Sequence, residues 1–277
     1  MTSFGERIRA ATATHGQLCV GIDPHAHLLA EWGMDASAAG AREFGLRVVE
    51  AAAGRVGVVK PQVSFFECYG SAGFAALETV MAAARAAGLL VIADAKRGDI
   101  GTTMDAYAQA WLTPGSPLEA DALTVNPFLG TGALEGTFEL AERAAKGVFV
   151  LAATSNPDAL TVQRAQLTSG ETVSNAIVRE VSARNARVTP EGQWASLGVV
   201  VGATVDWTDA GLRAFSPVAP ILGPGFGHQG AEPHDLRARF GDLAVAVIAS
   251  ESRSILTAGP DRLAARISER ALLYRGD

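Results

Sequence analysis

The residues with the most chemistry to offer stand in one short run, Asp94-Ala95-Lys96-Arg97-Gly98-Asp99, directly after the apolar stretch Leu89–Ala93. If that stretch is a strand, Asp94 and Lys96 are two apart and share a face. A carboxylate can hold a neighbouring ammonium in place, and a lysine so held can stabilise a developing anion and then hand it a proton. Asp99, beyond Gly98, should have left the strand and project sideways, within reach of a second subunit. Another ammonium, Lys60, ends the apolar run Val56-Gly57-Val58-Val59. Taken alone, the Asp94–Lys96 spacing describes an ordinary ion pair covering the end of a barrel equally well.

Lysine is scarce: Lys60, Lys96 and Lys146 stand beside 20 arginines. A guanidinium stays protonated, whereas an ammonium can release a proton in an enzyme's working range, so the position of each lysine is informative. Lys146, beside Gly147 at an expected helix end, reads as incidental. Cys19 and Cys68 form no CxxC pair and accompany no histidine cluster, so neither a zinc site nor a disulfide framework is expected. Both read as small, inert core residues.

Four further words follow apolar runs. Gly21-Ile22-Asp23-Pro24 offers a carboxylate, or an Asx turn before proline. Ala153-Thr154-Ser155-Asn156-Pro157 offers a hydroxyl, or a solvent-facing turn. Gly223-Pro224-Gly225-Phe226-Gly227-His228-Gln229-Gly230 has the backbone freedom to bring N–H groups against a phosphate, and Ser250-Glu251-Ser252-Arg253-Ser254 supplies a guanidinium suited to two-point phosphate recognition. Singly, these last two read as a surface loop and a helix-start arginine.

The elements that must position these groups alternate. Eight short apolar runs, Leu18–Asp23, Val56–Pro61, Leu89–Lys96, Ala122–Asn126, Val148–Thr154, Leu197–Thr204, Ala219–Gly223 and Leu243–Ser250, read as strands. Helical patterns lie between or after them at Phe74–Ala87, Ala133–Ala145, Thr172–Ala186, Asp206–Ala214 and Asp261–Leu273. The alternation is that of an α/β protein with a parallel sheet, a closed barrel or a doubly wound open sheet. In a barrel the strand-end words gather at the C-terminal mouth, and phosphate sites after strands seven and eight are a recurring feature there. At 277 residues the chain fits one (β/α)8 domain, a TIM barrel usually running to about 250. Asn156–Trp194 is too long for an ordinary connection, so an added helix near Glu171–Ala186, flanked by mobile polar stretches, is expected within an inserted segment of about 156–194.

A formal net charge of -6 argues against a broad nucleic-acid surface while allowing a local cationic pocket. Met1 is followed by no basic, then apolar, leader pattern, and no apolar run approaches the roughly 20 residues that span a bilayer, so a cytoplasmic protein without membrane association is expected.

From Gly21 to Arg253 these words resemble, in order, the orotidine 5'-monophosphate decarboxylase family, in which an Asp-x-Lys-x-x-Asp motif follows strand three and a further lysine ends strand two. The resemblance implies a cofactor-free (β/α)8 barrel that converts orotidine 5'-monophosphate to UMP. It assigns catalysis to Lys60, Asp94 and Lys96 of one subunit and Asp99 of its partner in a homodimer. It also implies substrate contacts at Asp23 on the ribose, Ser155 on the pyrimidine, Gln229 and Arg253 on the phosphate, and Ile100, Thr103, Asn126, Pro224 and Gly225 nearby. Arg97-Gly98, Asn126-Pro127 and the long Asn156–Trp194 segment depart from commoner members and are similar to the mycobacterial-type subgroup. The nearest rival is a Mg2+-dependent 3-keto-gulonate-6-phosphate decarboxylase or hexulose-phosphate synthase, whose members place an acidic residue where Lys60 stands. A Schiff-base aldolase using Lys60 or Lys96, or a catalytically silent nucleotide-binding barrel, remains open.

Overall fold

The computed structural model describes residues 1–275. Eight parallel strands close into a barrel in sequence order: β1 Leu18–Ile22, β2 Val58–Pro61, β3 Leu90–Arg97, β4 Ala122–Val125, β5 Gly147–Ala153, β6 Leu197–Val201, β7 Ile221–Pro224 and β8 Val247–Glu251. Closure between β1 and β8 removes the free edges of an open sheet, settling the choice that periodicity left open.

Strand alternation builds the interior in layers. One residue from each strand, Cys19, Val58, Ile92, Ala122, Phe149, Val200, Leu222 and Ile248, forms an apolar plug with Phe4 and Ile8. Those two come from the helix Phe4–His15, which covers the N-terminal end of the barrel. Phe4 meets Phe149 edge-on at 6.0 Å, a contact that leaves no room for a side chain at Gly147. Two residues further along each strand the inward layer becomes Gly21, Lys60, Asp94, Thr124, Leu151, Gly202, Pro224 and Ser250, so chemistry begins one layer above the plug. A second, larger apolar core fills the space between the strands and the surrounding helices.

Three expectations need correction. Residues 206–214 form turns rather than a helix: Asp206 Oδ1 accepts the Asp209 N–H at 2.9 Å, and Gly211 takes φ +68, ending any helical run. The helix Val173–Val188 is a regular barrel helix after β5, because Ser174 Oγ donates to the Ala152 carbonyl and Asn185 Nδ2 to the Leu197 carbonyl. The extra length lies before it, in a short helical turn at Leu160–Gln163. Residues Gly241–Ala246 form a 3-10 turn, entered at Gly241 with φ +55, so β8 starts later than its apolar pattern does.

Side-chain expectations also shift. Cys19 is in the plug, but Cys68 is exposed because it falls at the end of the short helix Ser64–Glu67. Lys146 is buried rather than incidental, donating to Glu119 Oε1 at 2.7 Å and lying 3.9 Å from Asp121 Oδ1, which Arg7 also engages. This charge cluster tethers the first helix beneath the barrel, at the opposite end of the strands from the strand-end words.

Candidate active site

At the C-terminal mouth, a cavity of about 380 Å³ is lined by Asp23, Lys60, Asp94, Lys96, Pro224, Gly225, Gln229 and Arg253, eight of the residues singled out from sequence. Asp94 is at its base. Its Oδ2 accepts from Lys60 Nζ at 2.9 Å, and its Oδ1 accepts from Lys96 Nζ at 2.6 Å. Lys60 and Asp94 are 6% and 7% exposed, whereas the Lys96 side chain is 44% exposed, so one ammonium is sealed behind the carboxylate and the other faces the cavity.

Burial alone would raise the Asp94 pKa, but the adjacent Lys60 and Lys96 ammoniums outweigh it and hold the carboxyl well below the usual carboxylate range. Burial likewise opposes charge on Lys60, and attraction to Asp94 and Asp23 overcomes it, raising the Lys60 pKa. The plug thiol of Cys19, by contrast, is pushed up to about 12, chiefly by burial, and stays a neutral packing group.

Asp94 and Lys96 meet by a route that plain alternation does not describe. On the β2 side the register runs on to a bridge between Gln62 and Asp94, but on the β4 side Ala93 faces Leu123 while Arg97 faces Val125. The chain therefore bulges between them, and Lys96 adopts φ +48, a left-handed conformation costing an L-residue about 1 to 2 kcal/mol. Thr124, fully buried on β4, holds the bulge: its Oγ1 accepts the Lys96 backbone N–H at 3.0 Å and donates to Asp94 Oδ1 at 2.9 Å. Arg97 closes the strand by donating to Glu67 Oε1 at 2.8 Å.

The opposite wall comes from β7, β8 and β1. Gly225 and Gly227 take φ +115 and +69, and the loop folds back through the Gly227 N–H on the Ala231 carbonyl at 2.8 Å. This turn brings Gln229 to the cavity, which Arg253, at the start of the short helix Arg253–Leu256, also lines. Asp23 Oδ1 and Ser252 Oγ are buried without a partner among the described residues, although both residues line the cavity. A bound molecule with hydroxyl donors would satisfy them.

The remaining sequence-predicted residues lie elsewhere. Asp99, Ile100 and Thr103 follow β3 outside this cavity; Ile100 is 62% exposed, and Asp99 Oδ1 accepts the Ile100 N–H at 2.8 Å rather than pairing with Lys96 of its own chain. Asn126 lines an adjoining cavity of about 720 Å³, which shares Lys96, Leu151 and Thr154 with the first. Ser155 is exposed and lines neither cavity, while its neighbour Thr154 lines both. Gln163 clamps Thr154, its Oε1 accepting the Thr154 N–H at 2.8 Å and its Nε2 donating to Oγ1 at 2.9 Å.

Sequence reasoning missed His25, Gln62, Thr124, His228, Ser250 and Ser252. Thr124 was findable: it is the one hydroxyl in the strand Ala122–Val125 and two residues above an inward-facing alanine. His25 gave no such sign. Its ring packs 4.1 Å from that of Phe65, and burial, aided by His27 and Arg253 against the pull of Asp23, lowers its pKa.

Comparison with known proteins agrees with this geometry. The profile of the "Orotidine 5'-phosphate decarboxylase / HUMPS family" matches residues 16–267. The orotidine 5'-phosphate decarboxylases of Salinispora arenicola and Streptomyces coelicolor are 51% and 49% identical to this chain, each over 266 residues, covering 96% of it and 94% of their own lengths. A crystal structure from Streptomyces avermitilis, provisionally described as an orotidine 5'-phosphate decarboxylase, superimposes with a TM-score of 0.93 at 46% identity, covering 99% of this chain and 95% of the other. The Leishmania donovani OMP decarboxylase structure gives 0.78 at 29% identity, with 99% of both chains covered. The chain is thus a member of the orotidine 5'-phosphate decarboxylase / HUMPS family.

Proposed function

We propose that this protein decarboxylates orotidine 5'-monophosphate to UMP without a metal or organic cofactor. The observation that carries the reading is the Lys60–Asp94–Lys96 chain, with one ammonium buried and the other presented to the cavity. It is supported by relatives of about half identity over nearly the whole chain that bear the decarboxylase name. Against a Mg2+-dependent family member stands Lys60 itself, since its ammonium occupies Asp94 Oδ2 and would repel a cation there.

The reaction breaks the bond from pyrimidine C6 to its carboxylate. CO2 leaves, and the electron pair stays on C6 in an orbital orthogonal to the ring π-system, where delocalisation cannot spread it. Stabilisation must come from fixed charge, and Lys96 supplies it before passing its Nζ proton to C6. Solvent then reprotonates the amine. Repulsion between Asp94 and the substrate carboxylate has the smaller part; the larger is an ammonium already held at 2.6 Å from Asp94 and needing no reorganisation. Asp23 meets the ribose, and Gln229 and Arg253 hold the phosphate, whose remote binding energy fixes the ring against Lys96.

The assignment extends to a homodimer in which Asp99 of each subunit completes the other's site. In its own chain Asp99 does not pair with Lys96, and Ile100, Phe128 and Leu129, on two loops that touch where Gly98 packs on the Asn126 carbonyl, expose 62%, 77% and 53% of their surface. Consumption of orotidine 5'-monophosphate with CO2 release, unchanged by EDTA and abolished in a folded Lys96→Ala variant that still binds UMP, is the expected result. Near-normal turnover by Lys96→Ala, or loss of turnover on chelation, would reject the mechanism.

A further inference from the structure

Between Ser250 and Ser252, which face the cavity, Glu251 turns the other way and is completely buried. It is the hub of a hydrogen-bonded cluster. Arg270, on the closing helix Leu263–Leu273, donates from Nε at 3.0 and 2.9 Å and from Nη2 at 2.5 Å; the Tyr274 hydroxyl donates to Oε1 and the Ser254 hydroxyl to Oε2, both at 2.6 Å. Arg270 Nη2 also reaches Glu232 Oε2 at 3.1 Å, at the far end of the glycine-rich loop. Within that loop, a Cβ at Gly227 would lie 2.6 Å from Ser254 Oγ and 2.8 Å from Glu251 Oε2, so the backbone rests directly on the cluster.

This connectivity joins two things that sequence treats as separate. Gln229 is carried by the loop that rests on Glu251, and Arg253 stands between Ser252 and the Ser254 that donates to it. One carboxylate therefore supports both groups assigned to the phosphate, from behind and without entering the cavity. A buried carboxylate so close to an anion subsite would oppose the anion unless its charge were matched. Arg270 matches it: burial works against its charge, but Glu251 and Glu232 outweigh that and raise its pKa.

We propose that Glu251, neutralised by Arg270, is a positioning residue for phosphate recognition, holding the Gln229 loop and Arg253 at a common spacing. The inference rests on the phosphate assignment above. The test compares UMP and uridine affinity, thermal melting and steady-state kinetics for the wild type, Glu251→Gln and Ser254→Ala. Gln presents an N–H2 where one carboxylate oxygen accepted, and Ala deletes the single hydroxyl that ties the Arg253 helix to Glu251.

Glu251→Gln should weaken UMP about tenfold or more and lower kcat/KM for orotidine 5'-monophosphate by at least as much, with uridine affinity changed less than about twofold. Ser254→Ala should move the same ratio by about threefold. A folded variant with an unchanged UMP-to-uridine ratio, or one in which both ligands weaken equally, would reduce Glu251 to a packing role and overturn the proposal. If Glu251→Gln does not fold, the Ser254→Ala ratio decides. A wild type that binds uridine as tightly as UMP would instead refute the phosphate site itself, which separates the two failures.

Discussion

Replacing Thr124 by valine tests whether the β3 bulge depends on the side chain that bridges Lys96 and Asp94. The swap is nearly isosteric, so the plug below should stay packed. Two interactions disappear. The hydroxyl hydrogen bond to the ionised Asp94 Oδ1, at 2.9 Å, belongs to a class worth about 1.5 to 3 kcal/mol. The Lys96 backbone N–H, now 3.0 Å from Oγ1, loses its acceptor at a cost of about 1 to 3 kcal/mol, reduced where water can reach it beside the half-exposed Lys96. A loss of about 2 to 4 kcal/mol in urea unfolding is therefore expected. Lys96 also adopts φ +48, so part of that loss should fall on the ammonium's placement: kcat should drop roughly ten- to hundredfold, about 1.4 to 2.8 kcal/mol in the barrier. UMP affinity should change little, because Gln229 and Arg253, proposed to hold the phosphate, lie beyond β7 and β8, and Thr124→Ser should recover most of the activity. A folded Thr124→Val enzyme with wild-type stability and kcat would refute the reasoning.

Three further outcomes are expected. Asp94→Asn leaves the buried Lys60 without its partner and should cost about 3 to 5 kcal/mol of stability at neutral pH. Because the folded-state pKa of Asp94 is depressed, its contribution is fully present above the unfolded value near ~3.9 and lost as pH falls through the folded one, so the wild-type advantage in denaturation curves should narrow only below about pH 4. Arg253→Ala should weaken UMP far more than uridine in calorimetric titrations; equal weakening would move the phosphate elsewhere. Mixing inactive Lys96→Ala and Asp99→Ala subunits should restore part of the activity through one intact composite site, and silence after verified subunit exchange would end the shared-site assignment.

The barrel was legible because its two periods are strong. Each strand is a short apolar run, every consecutive pair but β6 and β7 is separated by a helix, and the inward residues alternate so regularly that the plug and the layer above it fall two positions apart on every strand. The failures were local. Asp206–Ala214 carries a helical composition, but Gly211 and the Asp206 side chain offer the backbone a competing turn, and composition does not price that competition. The pattern over Thr172–Ala186 marks helix Val173–Val188, but the length of the connection makes it look like an addition, since nothing local shows that Ser174 and Asn185 bind the Ala152 and Leu197 carbonyls of β5 and β6.

At the site, spacing and residue type located the charged groups but could not supply their supports. Asp94 and Lys96 do meet, though through a bulge and a left-handed lysine whose anchor, Thr124, lies 28 residues further along the chain. Alternation on β8 already turns Glu251 outward in the sequence, but nothing near it names the partners it meets there, Arg270 on the closing helix and Tyr274 at that helix's end. Groups that touch a ligand must have particular chemistry and so mark themselves in sequence. Groups that hold them need only complementary partners, drawn from anywhere the fold brings close, so strand alternation can place a Thr124 or a Glu251 on a face, while the partners each one meets are set by the fold.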